Sequence, residues 1–393
     1  DGVELKANQI FAFKCGTEIT GNTQECSISY SELYKDVNIG GTILVDDGLI
    51  NFEIIDINGK DIICKVLNDG VIKNHKGVNV PNVSINLPSV TEKDKDDLVF
   101  GCKMGVDFVA ASFIRKASDI KEIRDLLNKN NGKNIQIIAK IESQEGVNNI
   151  DSILEVADGI MVARGDMGVE IPIEKVPIIQ KKIIKKCNEA GKIVITATQM
   201  LDSMIRNSLP TRAEACDICN AIFDGTDAIM LSGESASGQY PIEAANTMSK
   251  IAKETELHLD YNYLNQRLKE PAMYDFAEAI SYSTCRTSNV LNAKAIVAAT
   301  NSGATAKLVS KYKPKCPIIA ITPHEEVMRG LSLNFGVYPV LCQEFATTDD
   351  ILNESKKIVA ELNLADKGDD IIVAAGMPTN YTGGTNMLKI EKL

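Results

Sequence analysis

A chain of 393 residues with 44% hydrophobic content can bury more than one core, and its length alone suggests two or three domains. The formal net charge of -11 argues against nucleic acid as the main partner, and no window reaches the roughly 18 uninterrupted apolar residues of a membrane span. Ten cysteines are scattered without the spacing of a disulfide framework, which suits a reducing cytoplasm.

The sequence opens at Asp1 rather than Met and shows no signal peptide, so a fragment of a longer chain is expected. Residues 1–87 predict β structure: QIFAFK, ECSISY, TILVDDG, INFEIID and DIICKVL are short strand candidates. Asn58-Gly59 lies between the last two as a hairpin turn. No helical period interrupts them, which predicts a small β-barrel or sandwich. VNVPNVSINLP (78–88), with two prolines, reads as a connector or hinge.

From Thr91 the pattern changes. Thr91 is a plausible N-cap for TEKDKDDLVFGCKMG, with acidic residues in the first turn. Strands are predicted near 107–112, 135–141, 158–163, 193–197 and 227–231, with helical patterns such as SDIKEIRDLLNKN and EKVPIIQKKIIKKCNEAG between them. Repeated βα units of this kind mean parallel strands. A closed (β/α)8 barrel needs eight strands, and at about 30 residues per unit the three others imply on the order of 80–90 residues upstream. The expected architecture is α/β: a partial TIM barrel over 88–257, with five of eight strands present, and the β-rich unit 1–87 inserted into it as a separate domain.

Lys181, Lys182, Lys185 and Lys186 flank Ile183 and Ile184 at helical spacing and predict a solvated helix face. Cys216 and Cys219 form a CxxC inside a predicted helix, without the partners a zinc or redox site needs. A helix begins at Pro241, and a link through LDYNYLNQRLKEPAM leads to residues 258–393. There AIVAAT (295–300), PIIAIT (317–322), VYPVL (337–341) and DIIVAAG (370–376) alternate with helices, predicting a smaller open α/β domain.

Four of the middle strands end in paired functional residues two apart: Lys140 and Glu142, Arg164 and Asp166, Thr196 and Thr198, Ser232 and Glu234. Alternate residues of a strand share a face, so each pair is expected to point into one space at the carboxyl ends of the strands. Glu142 and Asp166, with no His or Cys nearby, favour a hard ion such as Mg2+ or Mn2+. The plain alternative is rim ion pairing with Lys140 and Arg164. Lys140 beside a metal carboxylate is expected to stay protonated and to clamp a phosphate or oxyanion rather than act as a Schiff-base nucleophile. The run from Arg164 to Gly168 is Gly-rich and suited to presenting backbone N–H groups to an anion. His75, His258 and His324 lie outside these strand ends, which leaves Thr198, Ser232 and Lys140 as proton-relay groups. A glycosidase could also use two carboxylates, but a chain with no Trp and 5% aromatics offers few sugar-stacking platforms. Thr300, Asn301, Ser302, Gly303, Ala304 and Thr305 join a strand to a helix and predict either a phosphate cradle or an ordinary capped turn.

Several long words of the sequence resemble the pyruvate kinase family closely: VDFVAASFIRKASD, IIAKIESQEG, ADGIMVARGDMGVEIP, VITATQMLDSMI, PTRAEACDICNAIFDGTDAIMLSGESASGQYP and VDDGLI. The resemblance covers essentially the whole chain. It implies transfer of a phosphoryl group from phosphoenolpyruvate to ADP, giving pyruvate and ATP, in a cytoplasmic glycolytic homotetramer. It also implies that Lys140 stabilises the phosphoryl group in flight and that Glu142 and Asp166 hold the divalent ion. Gly165, Asp166 and Thr198 would contact phosphoenolpyruvate, and Thr198 and Ser232 would lie near the proton path to the enolate. On the β-rich unit, a mobile lid by resemblance, Lys76 and Asp47 would approach the nucleotide. The family's K+ ligands and a substrate-binding arginine belong to strands that precede Asp1. The terminal domain would bind a phosphorylated effector, with Ala304 standing where many members carry a basic residue. The rival readings are a magnesium-dependent lyase or aldolase acting on pyruvate-like acids, and an inactive regulatory fragment.

Overall fold

The computed structural model describes residues 2–46, 48–81, 83, 90–261, 275–378 and 384–393. The first unit contains β1 (Val3–Leu5), β2 (Ile10–Cys15), β3 (Glu25–Ile28), α1 (Leu33–Asp36), β4 (Thr42–Val45), β5 (Ile50–Asn58), β6 (Asp61–Val66), β7 (Gly70–Ile72) and β8 (Val78–Asn79). Period-two alternation builds it. In β2, Phe11, Phe13 and Cys15 are buried while the residues between them are not. Phe11, Phe13 and Phe52 meet with ring centroids 5.0–5.5 Å apart and anchor this core. The strands pair in the order β3-β2-β6-β5-β4-β8, and β1 pairs with β7 as a separate ribbon. The two edge strands, β3 and β8, do not pair with each other among the described residues.

The hairpin expected at Asn58-Gly59 forms one residue later. Asn58 still pairs with Asp61, which leaves Gly59 and Lys60 at the turn. Gly59 has φ 62, the left-handed value that a tight hairpin demands of its first central residue. Of the predicted hinge at 78–88, Val78 and Asn79 form β8 against β4; residues 82 and 84–89 lie outside the described residues.

The second unit runs α2 (Glu92–Met104), β9 (Phe108–Ala111), α3 (Ala117–Lys129), β10 (Gln136–Ile141), α4 (Gln144–Asn148), α5 (Ile150–Val156), β11 (Gly159–Ala163), α6 (Arg164–Glu170), α7 (Val176–Ala190), β12 (Ile193–Ala197), α8 (Arg212–Asp224), β13 (Ala228–Ile229), α9 (Gly233–Ala236) and α10 (Pro241–Leu257). Thr91 caps α2 as expected, with a reciprocal capping box to Asp94. The five strands form one parallel sheet in sequence order, β13-β12-β11-β10-β9. One face, with Ile137, Ala139, Ile141, Ile160 and Val162, packs against the helices. The other, with Ile138, Met161, Ile193 and Ile195, gathers Phe108 and Leu333. Lys181, Lys182 and Lys185 are exposed on α7 and flank the buried Ile183 and Ile184, as the lysine spacing predicts. Cys216 and Cys219 lie within α8.

The third unit contains α11 (Phe276–Leu291), β14 (Ala295–Ala299), α12 (Ala304–Lys311), β15 (Ile318–Thr322), α13 (Glu325–Gly330), β16 (Val337–Leu341), α14 (Thr348–Glu361), β17 (Asp370–Ala375) and β18 (Met387–Lys392). Its sheet order is β16-β15-β14-β17-β18. The last strand is antiparallel to β17 and escaped sequence analysis, because MLKIEK is half-exposed and carries three charged residues. This unit packs under the start of the middle sheet. Gln136, the first residue of β10, donates to the Gly330 carbonyl at 2.7 Å and accepts from Lys307 at 3.1 Å.

Candidate active site

Strand parity decides which of the paired residues reach one space. Lys140 and Glu142 have the parity of Ile138, so they continue the face opposite the helices. Glu142 is buried, and Lys140 Nζ lies 2.8 Å from Glu142 Oε1 and donates to Ser112 Oγ at 2.9 Å. The second carboxylate oxygen, Oε2, accepts the Phe113 N–H at 2.6 Å. Phe113 has φ 55, a strained left-handed value for an aromatic residue, and it follows directly on Ser112 at the end of β9. Burial raises the Glu142 carboxyl above its usual range; the Lys140 and Phe113 hydrogen bonds oppose this, and the nearby Asp166 charge adds to it.

Arg164 corrects the expectation that it points into the same space. It has the helix-facing parity, is 10% exposed, and holds Asp217 of α8 through Nη1 at 2.6 Å. Its other nitrogens donate to the carbonyls of Ala197 at 3.2 Å and Thr198 at 2.6 Å. Arg164 therefore ties three elements together behind the site. The chain turns into α6 immediately after β11, and this turn brings Gly165 and Asp166 to the strand ends.

Thr196 likewise faces the wall: it is fully buried and donates to Thr226 at 2.9 Å. Thr198 reaches the site only because the backbone leaves the strand. Thr198 and Gln199 have φ 69 and 56, two consecutive left-handed residues that are neither Gly nor Asn. Thr198 Oγ1 accepts the Gly165 N–H at 2.8 Å and donates to the Ala197 carbonyl at 2.6 Å. A Cβ at Gly165 would lie 3.4 Å from that same Oγ1, so Thr198 packs directly over this glycine.

Ser232 sits at the start of α9, beyond the short β13. Its N–H donates to Glu234 Oε2 at 2.8 Å, and Glu234 Oε1 accepts the Leu201 N–H at 3.0 Å. Glu234 is thus a buried brace between two strand ends rather than an open carboxylate. On the β-rich unit, Lys76 pairs with Asp46 at 2.9 Å, and Asp47 lies outside the described residues. Sequence reasoning missed Ser112, which gives no pattern of its own and is placed at Lys140 by the fold.

In the third unit, Thr300, Asn301, Ser302, Ala304 and Thr305 line a 230 Å³ cavity that Ala375, Gly376, Gly384 and Thr385 close from the other side. Gly303, with φ 85, donates its N–H to Thr300 Oγ1 at 2.9 Å. Thr305 Oγ1 accepts from Thr385 Oγ1 at 2.8 Å. Glu344 also lines the cavity and places a carboxylate there that sequence analysis did not anticipate.

Parallel strands carrying a lysine, carboxylates and hydroxyls at their carboxyl ends have the layout on which α/β enzymes build their active sites. The comparisons then narrow the class. A family model described as "Pyruvate kinase, barrel domain" matches residues 1–245, and one described as "Pyruvate kinase, alpha/beta domain" matches residues 278–391. The pyruvate kinase of Clostridium perfringens (strain 13 / Type A) is 66% identical over 392 residues, 99% of this chain and 83% of that protein. That of Clostridium acetobutylicum is 57% identical over 389 residues, covering 99% and 82%. A crystal structure of a pyruvate kinase from Cryptosporidium parvum superposes with a TM-score of 0.93 at 40% identity, covering 100% of this chain and 80% of that one. The chain belongs to the pyruvate kinase family and is a phosphotransferase. These matches support the kinase expectation and not the lyase, aldolase or inactive-fragment alternatives.

Proposed function

We propose that the strand-end cluster around Lys140 transfers the phosphoryl group of phosphoenolpyruvate to ADP, giving pyruvate and ATP. The observation that carries this is the Lys140–Glu142 pair at the end of β10, a cation held at 2.8 Å by a buried carboxylate and oriented by Ser112. A lysine locked in this way offsets the charge on a transferring phosphoryl group without having to reorganise during the step.

The oxygen-only donor set fits a hard divalent ion. Glu142 is buried beside the like charge of Asp166, and a cation between them relieves both the desolvation and the repulsion. Glu142 and Asp166 would hold Mg2+ or Mn2+; when bound, the ion neutralises developing negative charge on phosphoryl and enolate oxygens. No residue of this chain is assigned to K+. Gly165 and Thr198 shape the space for phosphoenolpyruvate, Gly165 by the absence of a side chain. Thr198 and Ser232 carry the hydroxyls through which a proton reaches the enolate carbon. The Thr198 hydroxyl donates its hydrogen bond to the Ala197 carbonyl in this structure, so its relay role requires that bond to switch. Lys76, paired with Asp46, stands on the nucleotide side, and Asp47 is proposed with it.

The middle sheet is read as an arc of a (β/α)8 barrel, residues 1–87 as a lid domain, 88–257 as the catalytic domain and 258–393 as a regulatory domain. Its cavity suits a phosphorylated effector held by Thr300, Asn301, Ser302, Gly303, Ala304 and Thr305. Phe276 and Val290, exposed by 82% and 80% on α11, fit contacts with further copies of the chain in a homotetramer. Ten free thiols suit the cytoplasm. No helix among the described residues is long and apolar enough to cross a membrane. The test is pyruvate formation by the purified chain on addition of ADP, phosphoenolpyruvate and Mg2+. Release of pyruvate at the same rate without ADP would overturn the kinase reading.

A further inference from the structure

We propose that Glu234 is a positioning residue for the proton-delivering hydroxyls: by holding the main chain at Ser232 and at Leu201 together, it fixes how far the Ser232 hydroxyl stands from the Thr198 corner. The inference rests on the reading of Thr198 and Ser232 as the proton path to the enolate carbon. Glu234 is 2% exposed and lies in the first turn of α9. Each of its carboxylate oxygens takes one main-chain donor: Oε2 accepts the Ser232 N–H at 2.8 Å and Oε1 accepts the Leu201 N–H at 3.0 Å. These donors belong to the segments that leave two neighbouring parallel strands, β13 and β12. Gly233 seats the same turn on the second segment, since a Cβ there would lie 3.0 Å from Ile205 Cδ1.

The corner between β12 and Leu201 is what needs holding. Thr198 and Gln199 are both left-handed, with φ 69 and 56, a costly conformation for a β-branched residue such as Thr198. Met200 and Leu201, fully buried, then return the chain to the core. Opposite charges grip the corner at its two ends. On the incoming side, Arg164 donates to the carbonyls of Ala197 at 3.2 Å and Thr198 at 2.6 Å. On the outgoing side, Glu234 takes the Leu201 N–H. A carboxylate suits this task because both its oxygens accept. An amide would turn an N–H2 group toward one of the two donors, and an aspartate is one methylene short of spanning them. The step served is protonation of the enolate methylene carbon: a C–H bond forms there, a hydroxyl of the relay gives up its proton, and solvent replaces it. Such a transfer needs donor and carbon in close reach, so a small displacement of either hydroxyl falls on this step first.

The test uses the complete chain and compares Glu234→Gln, Glu234→Asp and Glu234→Ala, with Ser232→Ala and Thr198→Val in parallel. Proton NMR in D2O follows deuterium entry into the methyl group of pyruvate, with Mg2+ and ATP present, and so reads the proton step by itself. ATP formation from phosphoenolpyruvate and ADP reads phosphoryl transfer, and proton relaxation titration reads manganese affinity. The expected result for Glu234→Ala is a loss of about a hundredfold in methyl exchange, a clearly smaller loss in ATP formation, and wild-type manganese affinity. Glu234→Gln, which keeps the reach and one acceptor, should retain more exchange than Glu234→Asp, which keeps only the charge. The reverse order would mean that the carboxylate acts by its charge rather than by its grip, and would overturn the inference. So would wild-type exchange in Glu234→Ala, or equal losses in exchange, ATP formation and manganese binding, which mark a general loss of structure. If Glu234→Ala does not fold, Glu234→Gln and Glu234→Asp decide by the same ratio of exchange to ATP formation. Unchanged exchange in both Ser232→Ala and Thr198→Val overturns the proton-path reading itself, which separates the two failures.

Discussion

Lys313 Nζ lies 2.6 Å from Asp227 Oδ1, with the two side chains only 3% and 9% exposed, and this pair joins the third unit to the base of β13. The other Asp227 oxygen accepts the Val194 N–H at 2.8 Å, and the Lys313 ammonium sits 4.6 Å from the centroid of the Phe335 ring. Lys313 itself has φ 44, a left-handed value, just beyond the C-terminal end of α12. A buried cation with a carboxylate, an aromatic face and strained backbone is a fixed joint between two sheets.

Lys313→Met should therefore destabilise the protein by about 3–5 kcal/mol, because it leaves Asp227 buried and unpaired. Arg329→Ala, which breaks the more exposed pair with Asp107 at the same interface, should destabilise the protein far less. Urea unfolding of both variants measures the contrast, and equal losses would refute the distinction.

Lys140→Met should remove about 3–4 kcal/mol of transition-state stabilisation, a loss of roughly a hundredfold or more in turnover. Circular dichroism should be unchanged, since Lys140 lies at the open end of its strand. A variant that retained a tenth of wild-type turnover would eliminate the clamp role.

Glu142→Gln and Asp166→Asn should weaken manganese binding before they weaken the fold, which proton relaxation titration reads directly. The Glu142 carboxyl is raised from 4.5 chiefly by burial. A raised carboxyl contributes stability that is present below 4.5 and is lost as pH rises through its folded value. In metal-free protein, Glu142→Gln should accordingly flatten the decline of stability above that pH. An unaltered profile, or unaltered manganese affinity in both variants, would contradict the assignment.

Glu214 shows the opposite sign. Burial pushes its carboxyl up, but hydrogen bonds from the side chains and backbone of Ser203 and Thr211 outweigh it and leave the pKa lowered from 4.5. Its contribution is present above 4.5 and fades as pH falls through the depressed value. Thr211→Ala removes the cap of α8 and should cost about 1 kcal/mol near neutral pH. Thermal melts at neutral and acid pH should show that difference shrinking in acid.

For the cavity in the third unit, Ser302→Glu should abolish the response of phosphoenolpyruvate half-saturation to phosphorylated effectors. Glu344→Gln should strengthen it by removing a like charge from the lining. The coupling at stake is about 1–3 kcal/mol. A panel of sugar phosphates and AMP that shifts nothing in the unaltered protein would end the effector assignment.

The sequence by itself determined the parallel strands of the two α/β sheets and the residue types gathered at the strand ends. Runs such as IQIIAK and GIMVAR fit buried parallel strands, and alternation in QIFAFK fits a sheet with one wet face. Lys140 and Glu142 were legible because they share the parity of Ile138, a local property of one strand. Tertiary structure decided the rest. Arg164 turned to the wall because Asp217, 53 residues away, pairs with it there. Thr198 entered the site through two left-handed residues. β18 paired with β17 despite its charged residues. Periodicity reports which face of an element is dry, a matter of neighbouring residues. Which side chain meets which across the fold depends on where the backbone leaves its regular path, and only the assembled molecule sets that.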